Sequence, residues 1–138
     1  MQRPALMFAT LVCGAVCSVL ALPAAAQDAA SGQALFTRHC ATCHGIEAEG
    51  QGPMAPVLLV QPTDLTALSA DNGGVFPMVR AVMRIDGRDP LVSHGSSMPL
   101  FGQLFGEQDT PIKAPDGMPI LTTKPVADLV AWLLTIQD

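Results

Sequence analysis

Beyond position 43 the 138-residue chain contains no cysteine. Two of its four cysteines, Cys13 and Cys17, lie in an N-terminal apolar run, which leaves only Cys40 and Cys43 for the rest of the chain. A framework of several disulfides, the usual staple of a small exported domain, is excluded. Basic residues are scarce too. Residues 27–138 carry six Lys and Arg against twelve Asp and Glu, a balance of −6. Such a surface disfavours nucleic acid and anionic membrane and favours a partner with a basic docking patch. No apolar run after residue 26 is long enough to cross a bilayer. No stretch alternates convincingly as a strand, and there is no internal repeat or low-complexity segment. The scattered carboxylates form no acid–base pair, and Glu47 and Glu49 read as solvated loop charges.

The first 26 residues are of another kind. Arg3 opens a positive region, Ala5 to Leu22 is almost wholly apolar, and Pro23-Ala24-Ala25-Ala26 offers small residues for cleavage. This reads as a secretory signal peptide cut after Ala26, with a single domain over 27–138. An uncleaved anchor is the alternative, since Ala5 to Leu22 just reaches spanning length. Val12 and Val16 precede the two early cysteines, where a lipoprotein signal would need a small residue, and no twin arginine is present.

The chemistry concentrates in Cys40-Ala41-Thr42-Cys43-His44. The spacing Cys-x-x-Cys-His is the attachment site of a c-type haem. Two intervening residues place both sulfurs on one side of a short helical turn, where they can add to the two vinyl groups of the porphyrin. The next residue offers its imidazole to the iron. A redox dithiol would require a βαβ setting that the chain does not show, and a zinc site would require further ligands. One covalent haem also supplies an apolar plate for a small domain to fold around.

Helical signals flank this motif. Ser31 can cap a helix from Gly32 to about Thr42, on which Phe36, Cys40 and Cys43 share a face. A second helix, Lys124 to Ile136, is capped by Thr122 or Thr123 and tolerates Pro125 in its first turn. Its stripe of Val126, Leu129, Val130, Leu133 and Ile136, with Trp132 beside it, packs against the first helix. Glycine at 32 is explained if the two helices cross closely there. Pro62-Thr63-Asp64-Leu65 reads as a turn entering a short helix, and Asn72-Gly73-Gly74 as a break. Val75 to Ile85 reads as a third helix ended by Gly87. Asp89 to Leu121, with five prolines, reads as loop. The fold class expected is all-α, three to five short helices with long loops around one haem.

The sixth iron ligand decides whether the centre is closed or open. Met78 and Met83 fall inside the third helix as core filler, Met54 lies close behind His44, and His39 adjoins Cys40 too closely to reach the other face. Met98, Met118 and His94 remain. Both methionines sit in loops and precede proline, and pattern alone does not separate them.

Cys40 to His44, Gly50-Gln51-Gly52-Pro53, a Met-Pro loop and a last helix with Trp132 together resemble class I monohaem cytochrome c, over essentially Ser31 to Gln137, and the run Arg84-Ile85-Asp86-Gly87-Arg88, the His94 to Gly102 loop and the Pro125 to Leu133 helix resemble the proteobacterial periplasmic type. The resemblance implies a cytochrome c fold in which the helices bearing Gly32, Phe36 and Trp132 cross. It implies that Pro53 gives its carbonyl to the second nitrogen of His44, and that Met98, in His94-Gly-Ser-Ser-Met98-Pro99, is the distal ligand. Arg84 and Arg88 become candidates for the haem propionates. Gln103 to Leu121 departs from the shorter members of the family. The function implied is one-electron transfer in the periplasm by a monomeric carrier or subunit of an oxidoreductase, without enzymatic activity of its own. A haem enzyme, or a gas or redox sensor with a displaceable sixth ligand, is the alternative. Retention of residues 5–22 would instead give a membrane-tethered cytochrome.

Overall fold

The computed structural model describes residues 27–89, 98–102 and 104–138. The expected leader, residues 1–26, and His94 lie outside them. The first helix, α1, is Ala29–His39. Its cap is Asp28 rather than Ser31: the Asp28 carboxylate accepts from the amides of Ala30 and Ser31, and the Ser31 hydroxyl donates to it at 2.7 Å. A carboxylate at this end also meets the positive pole of the helix dipole. The helix breaks at Cys40, and a one-turn helix, α2, Ala41–His44, carries the rest of the motif.

The last helix, Lys124–Thr135 (α5), starts at Thr123, whose hydroxyl accepts from the Val126 amide. It crosses α1 at Gly32. A Cβ there would collide with the Asp128 carbonyl and lie 2.9 Å from the Trp132 Cβ. The close approach brings Phe36 and Trp132 to a ring separation of 4.4 Å. The Asp28 amide donates to the Asp128 carboxylate, which also holds the Lys124 ammonium, so the start of α1 is tied to α5.

Between these helices lie a 3₁₀ turn at Ala55–Val57, a short α3 at Leu68–Asp71 and α4 at Met78–Asp86. Helix α4 starts three residues later than expected, so Val75 and Val79 are exposed while Met78, Val82 and Ile85 form its buried face. Gly87 ends it in the left-handed region at φ 87°. Asp64 delays α3 by holding the amide and hydroxyl of Thr66.

The all-α expectation is corrected in one place. Thr110–Lys113 (β1) and Pro119–Thr122 (β2) pair antiparallel, Thr110 opposite Thr122. Asp116 accepts from the Met118 amide, and Gly117 at φ 88° closes the turn. The hairpin is not a free flap. Ile112 and Thr122 are buried against the helical core, and the Arg88 guanidinium, forked onto buried Asp86, donates to the Leu121 carbonyl at 2.8 Å. Among the described residues no helix is long and apolar enough to cross a membrane.

Candidate haem-binding cleft

Residues 40–44 are wound tightly: the amides of Cys43 and His44 both donate to the Cys40 carbonyl. The two cysteines are unbridged and half-buried. Burial pushes the Cys40 thiol up to about 11, with the neighbouring Cys43 adding to the effect. A nucleophilic redox dithiol needs the opposite, a thiol pKa lowered by its surroundings.

His44 is buried, and its Nδ1 lies 3.0 Å from the Thr63 carbonyl. With Nδ1–H donating there, Nε2 keeps its lone pair for a metal. Burial lowers the pKa of the imidazole, more than the Thr63 carbonyl raises it, which favours the neutral, ligating form. The carbonyl is Thr63's rather than Pro53's, a correction to the expectation. The reason lies in the chain after α2. The end of that helix leaves carbonyls without intrahelical donors. The amide of Gly52 is given to Cys43 and that of Met54 to Thr42, so this stretch is spent satisfying α2. The chain then turns at Ala55–Val57, where Gln61 bonds the Ala55 and Leu58 carbonyls, and returns to His44 at Thr63. The Leu65 amide bonded to the Ala48 carbonyl secures that return.

Two adjoining clefts, both partly open to solvent, share His44, Thr63 and Met98 in their walls. The first adds Cys40, Cys43, Leu58, Val60 and Phe101, and the second adds Leu65, Leu68, Asn72, Arg80, Arg84 and Leu133. Met118 lines neither; it is 62 % exposed at the hairpin turn. Arg84 lines the second cleft and pairs with Asp89 at 3.4 Å, whereas Arg88 is engaged with Asp86 and the hairpin. Sequence reading passed over Thr63 and Arg80. Nothing local marks Thr63, while Arg80 stands one turn before Arg84 on α4, a signal that was there to use.

The lining fits a haem. Two thiols, Cys40 and Cys43, line the first cleft and are available for covalent attachment. The His44 imidazole and the Met98 thioether belong to the wall that both clefts share, and the Arg80 and Arg84 guanidinium groups line the second cleft, where they can receive carboxylates. Comparison with protein-family models agrees: the cytochrome c family model matches residues 29–137. The chain belongs to the cytochrome c family, whose members hold a covalently attached haem c and use it in electron transfer. No curated protein and no solved structure matches the chain in the comparisons made.

Proposed function

We propose that the protein is a class I cytochrome c of the proteobacterial periplasmic type, with His44 and Met98 as the axial ligands of its haem iron. The observation that carries this is the shared wall: both clefts that contain His44 also contain Met98, while Met118 stands exposed on the hairpin. The haem supplies an iron that takes up and gives back one electron. The residues do the rest. Thr63 would orient the imidazole, the Met98 thioether would favour the ferrous form of a bound haem, and the apolar walls would cover part of the ring.

In this reading residues 1–26 are an export signal removed after Ala26, and the mature protein works in the periplasm as a monomer. It is a free carrier or the electron-transfer subunit of an oxidoreductase, and it catalyses no reaction of its own. Its partners are redox proteins with basic docking patches, complementary to the balance of −6 over residues 27–138.

The test is the optical spectrum of the oxidised, haem-loaded protein beside Met98→Ala and Met118→Ala. Loss of the far-red sulfur-to-iron band in the Met98 variant alone is expected. Loss in the Met118 variant alone overturns the assignment. Ready binding of carbon monoxide by the unmutated ferrous protein would favour a sensor or haem enzyme over a carrier.

A further inference from the structure

His39 is neither a cysteine of the attachment motif nor one of the proposed axial ligands, yet it lines the cleft with Cys40, Met98, Pro99 and Phe101. It is the last residue of α1, one step before Cys40. Its ring stands edge-on to two phenylalanines of the segment that follows Met98. The ring centroids are 5.6 Å apart at 76° for Phe105 and 6.1 Å apart at 61° for Phe101. Those two phenylalanines stack on each other at 5.6 Å and 17°. A turn brings them together, with the amides of Leu104 and Phe105 both donating to the Phe101 carbonyl.

The same segment is held on a second side by backbone. The Phe101 amide donates to the Ile85 carbonyl at 2.9 Å, and Gly102 lies so near Asp86 that a Cβ would collide with its carbonyl. The chain after Met98 is thus fastened to the end of α4 and, through His39, to the end of α1. Pro99 fixes one of the few torsions between Met98 and these anchors.

We propose that His39 is a positioning residue for Met98: its packing on Phe101 and Phe105 couples the haem-attachment turn to the Met98 loop and holds the thioether at the iron. The proposal rests on the reading of Met98 as the axial ligand. A thioether competes with external ligands only in the fraction of molecules whose loop is in place, and loosening the loop lowers that fraction. Loss of one aromatic contact shifts such an equilibrium by roughly two- to tenfold.

The experiment uses the haem-loaded protein and two readouts, the far-red band of the oxidised form and carbon monoxide titration of the ferrous form. His39→Ala is expected to weaken the band and tighten apparent carbon monoxide binding by roughly two- to tenfold. His39→Phe keeps an edge-on ring and is expected to restore both. Phe105→Leu, which removes the ring on the other side and leaves α1 untouched, is expected to act like His39→Ala. Thr123→Ala weakens the cap of α5 and should lower the melting temperature without moving carbon monoxide binding. If Met98→Ala abolishes the band but His39→Ala and Phe105→Leu bind carbon monoxide as the unmutated protein does, the positioning role is overturned. Equal shifts in His39→Ala and His39→Phe overturn the packing argument. A band that survives in Met98→Ala overturns the ligand reading itself, and this proposal with it.

Discussion

The segment after Cys40 and the segment after Met98 each contribute walls of the cleft, Cys40, Cys43 and His44 from the first and Met98, Pro99 and Phe101 from the second, but they are held by different kinds of contact. The first region organises itself over short distances: Cys43 and His44 bond Cys40, Gly52 bonds Cys43, and Met54 bonds Thr42. The second has local turns of its own, in the Phe101 turn and the hairpin, but is fastened to the core by partners farther along the chain. Phe101 bonds Ile85, Arg88 reaches Leu121 across 33 positions, and His39 packs on Phe105. The first can therefore take shape wherever the α1–α5 crossing is intact, while the second needs α1, α4 and the hairpin in place together. Local contacts cost little loop-closure entropy and distant ones cost more. The side carrying Met98 should accordingly be the more easily loosened of the two.

This difference can be tested by breaking each region in turn, with loss of haem-linked stability as the common measure. The largest effect is expected from Trp132→Ala, which empties the crossing on which the attachment turn rests. It should lower unfolding free energy by about 3–5 kcal/mol in denaturant titrations and impair both regions together. Arg88→Ala should come next, at about 2 kcal/mol, because it strands the buried Asp86 carboxylate and frees the Leu121 carbonyl. Hydrogen exchange should then rise in the hairpin well before it rises in α2.

A smaller effect is expected from acid. The Asp28 carboxyl is held below its ordinary value, first by the Ser31 hydroxyl and then by the amides of Ser31 and Ala30. A carboxyl whose folded pKa is depressed stabilises the fold above its unfolded value, near 3.8, and that contribution disappears as pH falls through the lower folded value. Asp28→Asn should lose this contribution at neutral pH, leave the slope of the stability–pH curve there unchanged, and flatten the curve in the acid window. The smallest effect is expected from Met118→Ala at the exposed hairpin turn, within about 0.5 kcal/mol in thermal unfolding. A larger loss there would mean that the hairpin tip carries a contact beyond the turn itself.

Much of the attachment region was legible because its rules are local. Cys40, Cys43 and His44 declare themselves by spacing. The Gly32, Phe36 and Trp132 crossing follows from helical periodicity joined to one glycine that needed a reason. Ser31 and Asp28 both suit the cap of α1, and only the fold shows Asp28 in that role and tied to α5 as well. The hairpin escaped notice because its strands are four residues long and each holds a proline, Pro111 and Pro119, so no alternating run could form.

By itself, then, the sequence pointed to a covalently attached haem, to Cys40, Cys43 and His44 as its attachment motif, and to the two helices that cross at Gly32. These depend on spacings of a few residues, which backbone geometry translates directly into positions. Only the tertiary structure decided that Thr63, and not Pro53, orients that histidine. Only it put Met98 in the same cleft walls as His44 and Met118 out on a hairpin. Only it brought His39 against Phe105. Each of these depends on how a loop returns to the core, and a loop's path follows from the partners that its backbone and side chains find at a distance.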